Sequence, residues 1–427
     1  MQFAEEFLHY IWQHRLFAQN CLKDSNQQTL EITKTGTHNF NAGPDFNNAK
    51  IQIGDTLWAG NVEIHINASD WKKHNHHLNE AYDSVILHVV WQNDVDIYRT
   101  NGTLIPTLEL KNLVSPTLIA QYEYLKENTN WIPCQHQIKN VDSFVIKQWL
   151  NRVLIERLEV KSETIIKLLT QLKGNWEQTF YITLAQSFGF KVNALPFAML
   201  AQALPQQIFA KHKHNSLQIE ALIFGQAGFL TDNFIDEYPL MLKKEFSFLS
   251  QKYQLIPMDK SVWKFSKLRP RNFPTIRLAQ FAATVIASNH LFSKILETDS
   301  LQELKKFFKK GEINSYWDNH FKFDTAGDYC TKALGEKSLD SIIINAIAVI
   351  VFCYGKQIDN QAYVNKAFNF IEKIDSETNT IITGFKNLGV NALNAFDSQA
   401  LLQLKNNYCN QKKCLHCGIG NKILIGR

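Results

Sequence analysis

The chain has 427 residues, 45% of them hydrophobic and 12% aromatic, enough for two or three packed domains and too apolar for a disordered chain. A formal net charge of +5 permits a nucleic-acid partner without demanding one, since local clustering of charge matters more than the total. Seven cysteines, an odd number scattered along the chain, exclude a disulfide framework and leave reduced thiols or metal ligands.

The first residues, Met1-Gln2-Phe3-Ala4-Glu5-Glu6, place acids where a secretory signal has bases, so a cytoplasmic protein is expected. A helix is predicted from about Glu5 to Phe17, then strands near Leu30–Thr35, Lys50–Ile53 and Leu57–Asn67. In Val62-Glu63-Ile64-His65-Ile66 apolar and polar residues alternate, so Glu63 and His65 share one face of a strand and the three aliphatics the other. Gly43-Pro44-Asp45 precedes an alternating run, which puts Asp45 at a strand entry with its carboxylate free of the ladder. One Asp and one Glu converging from adjacent strands suffice to hold magnesium or manganese.

Pro44-Asp45 followed by Glu63-Ile64-His65 resembles the PD-(D/E)xK nuclease superfamily, with His65 standing where that pattern has lysine. The resemblance implies a restriction-endonuclease-like sheet, Asp45 and Glu63 as metal ligands, and His65 in the position that aligns or activates water. Lysine is a fixed positive charge, whereas histidine is mostly neutral near pH 7. His65 then serves as a base, or as a third ligand favouring manganese or zinc, or marks a core that no longer cuts. The phrases Gly43-Pro44-Asp45-Phe46, Arg269-Pro270-Arg271-Asn272-Phe273-Pro274 and Tyr408-Cys409 resemble an uncharacterised bacterial family defined only as a domain of unknown function, over nearly the whole chain. That likeness implies no chemistry.

Histidines crowd the next segment. His74 and His76, on a loop and helix start, are either solvated or share a metal with His65; His88 is either a hydrogen-bonded core residue or joins Glu63 and His65 on one face. His88 sits in a buried strand, Val85–Val90, and Asn101-Gly102 signals a hairpin between Asp96–Arg99 and Leu104–Leu110. From Ser143 the apolar spacing becomes helical, with helices expected near Asn175–Phe188, Ala194–Ala203, Leu217–Ala227, Pro239–Tyr253, Thr275–Phe292, Leu301–Lys310, Asp340–Tyr354 and Gln361–Ile374. The longest apolar stretch, Ser341 to Tyr354, falls short of the roughly 20 residues of a membrane span and reads as a core helix.

Two further constellations stand out. Lys267, Arg269, Arg271 and Arg277, interleaved with Trp263, Phe265 and Phe273, form a strip suited to DNA or RNA, or a solvated loop packed by its aromatics. Cys409, Cys414 and Cys417 have the spacing of a metal knuckle, and Cys134 is the expected fourth ligand, for zinc or a [4Fe–4S] cluster.

The sequence therefore predicts an α+β protein in three parts. Residues 1–135 form the nuclease-like mixed sheet with flanking helices, 143–396 a large all-α domain, and 397–427 a short cysteine-rich metal-bound tail packing back on the domain boundary. The expected activity is metal-dependent phosphodiester hydrolysis through Asp45, Glu63 and His65. The alternatives are a non-catalytic nucleic-acid-binding or scaffold protein, and a histidine-rich metal hydrolase with another substrate.

Overall fold

Phe7, Leu8, Ile11 and Trp12 recur at helical spacing, and their complete burial anchors helix α1 (Glu5–Gln13). The helix stops short of Phe17 because Arg15 adopts φ +52° and turns the chain. Arg15 Nη2 then donates to the Thr33 carbonyl at 2.7 Å, and Trp12 Nε1 to that of Thr35 at 3.0 Å, which fixes α1 against the sheet's first strand. The computed structural model describes residues 3–288 and 290–426.

The sheet contains β1 (Leu30–Lys34), β2 (Thr37–His38), β3 (Phe46–Ile53), β4 (Thr56–Asn67), β5 (Val85–Gln92) and β6 (Thr107–Glu109). Its order is β1-β3-β4-β5-β6, with β2 also on β3. The pairs β1–β3 and β3–β4 are antiparallel, whereas β4–β5 and β5–β6 are parallel. From Val85 to Val90 every residue of β5 is buried, as a central parallel strand covered on both faces requires. Helices α1 and α2 (Asp70–Lys73) pack on β4.

The hairpin predicted around Asn101-Gly102 shrinks to one isolated bridge, Tyr98 with Leu104. The turn itself forms, with Arg99 N donating to Thr103 O at 2.9 Å. Its polar groups are satisfied locally, Thr100 N by Asp83 at 3.0 Å and Thr103 N by Asn101 at 3.0 Å, so no long ladder follows. Thr107–Glu109 pairs with β5 instead.

The chain divides into two units. Unit 1 takes the sheet, α3 (Pro116–Glu127), the start of α4 (Ser143–Gln171) up to Trp149, Leu388–Val390 and the tail from Leu404. The tail is thus part of the strand-rich unit, and nothing marks it as a distinct metal-bound module. Lys412 Nζ donates to the Lys126 carbonyl at 2.7 Å, His416 Nε2 lies 2.8 Å from Glu6 Oε1, and a C-terminal helix (Gly418–Ile425) packs on α3. Only glycine fits at 420, where a Cβ would stand 2.2 Å from the Cys414 carbonyl oxygen.

Unit 2 is helical, from Leu150 to Asn387 and Asn391 to Gln403. It includes α5 (Trp176–Phe188), α6 (Phe190–Ala203), α7 (Gln206–Ala210), α8 (Ser216–Gln226), α9 (Glu237–Tyr253), α10 (Pro274–Ala287), α11 (Leu291–Glu297) and α12 (Leu301–Lys309). After a two-strand hairpin, β7 (His320–Lys322) with β8 (Thr325–Ala326), come α13 (Glu336–Ile342) and α14 (Ala348–Gln357), joined by a π-helical turn. These make one rod, Glu336–Gln357, long and apolar enough to cross a membrane, yet 72% of its most apolar stretch is buried within the protein. That burial matches a core helix. The predicted Thr275–Phe292 helix proves to be two, because α10 ends at Ala287 and α11 starts at Leu291.

Candidate metal centre

Asp45 is delivered by a loop that Asn39 ties shut. Asn39 Nδ2 donates to the Pro44 carbonyl at 3.0 Å, its Oδ1 accepts from Asn41 N at 2.9 Å, and Gly43 supplies φ +105°. Just beyond, Asn48 at φ +59° marks a bulge between Phe46 and Ala49 that re-aims the strand entry toward β4. The Asp45 carboxylate there accepts from the Ile64 amide at 2.9 Å, while Asp45 N donates to Glu63 Oε2 at 3.1 Å. The two acids, eighteen positions apart, meet where the entry to β3 lies beside β4.

Alternation along β4 puts Glu63 and His65 on one face, and the parallel register sets Glu63 beside His88 of β5. His65 Nδ1 lies 2.8 Å from His88 Nε2, with both rings buried. His74 and His76 arrive from the segment after α2. Asp70 accepts from Asn67 N at 2.9 Å to start that helix, and Asn75, in the left-handed region at φ +61°, folds the chain so both flanking imidazoles turn inward. Tyr82 stacks on His76 at 3.8 Å between centroids, and buried Trp71 meets the rings of His65, His76 and His88 edge-on.

The result is a set of donors converging on one point. His65 Nε2 is 3.1 Å from His74 Nδ1 and 3.6 Å from Glu63 Oε1, and Glu63 Oε1 is 3.1 Å from His76 Nε2. The ligand atoms of His65, His74 and His76 all lie within 4.8 Å of one another. A tetrahedral ion with metal–nitrogen bonds near 2.0–2.1 Å separates its ligands by about 3.3 Å, so these spacings suit one divalent ion. His65 is buried, His76 half-buried and His74 exposed, which leaves one side of the site toward solvent.

Burial first, then the neighbouring His76 and His74, pushes His65 down to about 3, so its ring is neutral with a lone pair to give. Its single proton belongs on Nδ1, donated to His88, if Nε2 is to face a metal; His88 then carries its own proton on Nδ1, which is buried without a hydrogen-bond partner. Burial, reinforced by Asp45, pushes Glu63 up to about 8. Burial would raise Asp45 too, but the hydrogen bond and charge of His9, with the Ile64 amide, hold it below the usual carboxylate range. The pair therefore shares one proton, resident on Glu63.

Two residues of this site gave no local sequence signal. His9 Nε2 lies 3.3 Å from Asp45 Oδ2, and Glu5, one turn earlier on α1, feels the charges of His74, His9 and Asp45. Their i, i+4 spacing marks a common helix face, but only the docking of α1 on β4 shows that this face borders the site.

The other predicted residues are distributed as follows. None of the seven cysteines is in a disulfide. Cys134 and Cys414 are pushed up to about 12 and Cys409 well above its usual value, by burial first and then by Cys417, with Cys414 adding to the effect on Cys134 and on Cys409. In unit 2, Lys267 and Arg269 are exposed, as is Arg271, whose Nη2 lies 2.6 Å from Cys330 Sγ. Arg277 corrects the expectation of a continuous basic strip: it is buried, with its guanidinium bonded inside the unit.

A family model described as "Protein of unknown function (DUF2851)" matches residues 5–380. No curated protein and no solved structure matches the chain.

Proposed function

Because the chain belongs to that DUF2851 family, whose description assigns no chemistry, we propose its function from the site itself: a metal-dependent hydrolase that cleaves phosphodiester bonds in DNA or RNA. The observation that carries this reading is the convergence of His65, His74 and His76 with Glu63 at 3.1–3.6 Å, beside Asp45. Three imidazoles and a carboxylate favour zinc or manganese over magnesium. Such an ion supplies Lewis acidity and a more acidic water. Phosphodiesters are the preferred substrate because the Asp45–Glu63 pair lies where the entry to β3 meets β4 in a mixed sheet with flanking helices, an arrangement compatible with the PD-(D/E)xK nucleases.

In this scheme His65, His74 and His76 would hold the ion, and His88 would orient His65 by accepting the His65 Nδ1 proton on its Nε2. Glu63, protonated in the metal-free protein, would lose that proton to a bound cation and then, as a carboxylate, would take the proton from water. Asp45 stays ionised, held so by His9 beside it at 3.3 Å. The test is incubation with single- and double-stranded DNA and with RNA, in Mn²⁺, Zn²⁺ or Mg²⁺. Cleavage should require Mn²⁺ or Zn²⁺ and fall roughly 100-fold or more in Glu63→Gln. Cleavage unchanged in Glu63→Gln and His65→Ala, or none on any of the three substrates with metal bound, overturns it.

We further propose that Cys134, Cys409, Cys414 and Cys417 hold zinc or a [4Fe–4S] cluster. Support comes from the knuckle spacing of the last three, and from thiols whose ionisation burial and the neighbouring Cys417 make costly, a cost that a cation would remove. Broad visible absorption lost in Cys414→Ser identifies iron–sulfur, and colourless protein with a cysteine-dependent zinc identifies zinc. Metal content unaffected by Cys414→Ser refutes both.

A further inference from the structure

Arg277 of α10 is a buried cation with no anionic partner among the described residues. Only 6% of the residue is exposed, and its partners are neutral: Gln280 Oε1 on Nη1 at 2.7 Å, Asn272 Oδ1 and Ser338 Oγ on Nη2 at 2.6 and 3.2 Å. The Phe190 ring lies 4.3 Å from the guanidinium carbon, and Nε is buried with no hydrogen-bond partner among the described residues. Burial alone lowers its pKa, to about 10, and no carboxylate opposes that shift. The nearest acids along α13 are engaged elsewhere, Glu336 with Lys305 and Lys309, and Asp340 with Lys305. Gln280 cannot turn away, because its Nε2 donates to the Lys332 carbonyl at 2.8 Å. A guanidinium taken out of water among neutral groups is retained at a heavy cost unless something negative joins it.

The space for that something is present. Arg277 lines a cavity of about 270 Å³ together with Phe190, Phe197, Asn272, Lys337 and Ser338. Lys337 is exposed, so the second cation is free to reach a ligand. Arg277 sits in the first turn of the 14-residue α10, and Lys337 and Ser338 sit in the first turn of the long Glu336–Gln357 rod. Both helices thus present their positive ends. Phe190 holds φ +49°, a costly conformation for a bulky side chain, in the arrangement that lays its ring against the guanidinium.

We propose that this cavity binds the phosphate group of a small ligand. Two cations and two helix N-termini answer a dianion, whereas a carboxylate would leave positive charge in excess. Whether the phosphate arrives free or as a monoester is read by separate arms of one experiment. Binding to the whole protein is followed by calorimetry in chelator, at matched ionic strength, with inorganic phosphate, phenyl phosphate, acetate or chloride as the probe. Saturable binding of inorganic phosphate or phenyl phosphate, but not acetate or chloride, is expected. Tighter binding of the ester assigns the aromatic walls to its organic part, and tighter binding of inorganic phosphate assigns the site to the free ion. Lys337→Ala should weaken binding several-fold while leaving the melting temperature in chloride unchanged, and Arg277→Met should abolish it. Should Arg277→Met fail to fold, Lys337→Ala still decides. Phosphate no better than chloride, or binding indifferent to Lys337→Ala, overturns the proposal. Chelator silences the proposed metal centre, so failure here is separate from failure there.

Discussion

Glu63 keeps its proton in the folded protein up to about pH 8, while the unfolded chain releases it near the ordinary 4.5. The folded state therefore binds the extra proton across that window. The stability it confers is complete below pH 4.5, declines as pH rises, and is gone above about 8. The loss is on the order of a few kcal/mol. In urea unfolding of metal-free protein between pH 5 and 9, Glu63→Gln should flatten the decline, and an unchanged slope counts against a buried proton at this position. Divalent metal reverses the sign, because it displaces that proton, so stabilisation by Mn²⁺ or Zn²⁺ should grow with pH. Glu220 in unit 2 offers an independent control: burial pushes it up to about 7, against hydrogen bonds from Tyr238 and Asn314. Its window closes near pH 7, so Glu220→Gln should stabilise at pH 8 and change little at pH 4, as measured by the same unfolding curves.

At the scale of single elements, the centre depends on how short segments are aimed. Asn75 is the left-handed residue between His74 and His76. Asn75→Gly should preserve metal affinity, whereas Asn75→Val, whose β-branched side chain resists that conformation, should weaken it about tenfold. A metal titration followed by calorimetry checks this, and equal affinities in the two variants contradict it. Gly60 sets the closeness of β4 and β5, since a Cβ there would stand 2.3 Å from Ile86 Cγ2 and 2.7 Å from the Ser84 carbonyl oxygen. Gly60→Ala should cost about 1–3 kcal/mol by chemical denaturation.

These elements also show what a one-dimensional pattern can and cannot carry. Period-two alternation was enough to put Glu63 and His65 on one face, and Pro44 was enough to place Asp45 at a strand entry, because both are local backbone rules. His88 could be set beside them only as an open alternative, since strand neighbours depend on topology. His74 and His76 stay open in the sequence between solvated and metal-sharing, because their inward turn rests on one unusual φ at Asn75. Glu5 and His9 were invisible as site residues, since nothing in a helix face says which strand it will cover. Arg277 misled for the opposite reason: basic residues near prolines look exposed, whereas the first turn of α10 is buried as its flanking Pro274, Thr275 and Ile276 are.

For the whole molecule, the histidine centre and the phosphate cavity belong to different units, the first to unit 1 and the second to unit 2. Their ligands should therefore leave separate marks in hydrogen exchange. Divalent metal should slow exchange in β4, β5 and the segment from Asp70 to Tyr82, while phosphate should slow it around Phe190 and the first turns of α10 and α13. Protection by metal confined to unit 2 would contradict the assignment. The most direct test of the central claim is metal stoichiometry after dialysis, comparing the wild type with a variant in which His65, His74 and His76 are all alanine. One zinc or manganese per chain should be lost in that variant, while any metal held by Cys134, Cys409, Cys414 and Cys417 stays. Equal metal content in both proteins, with equal affinity on titration, would show that the histidines hold no ion.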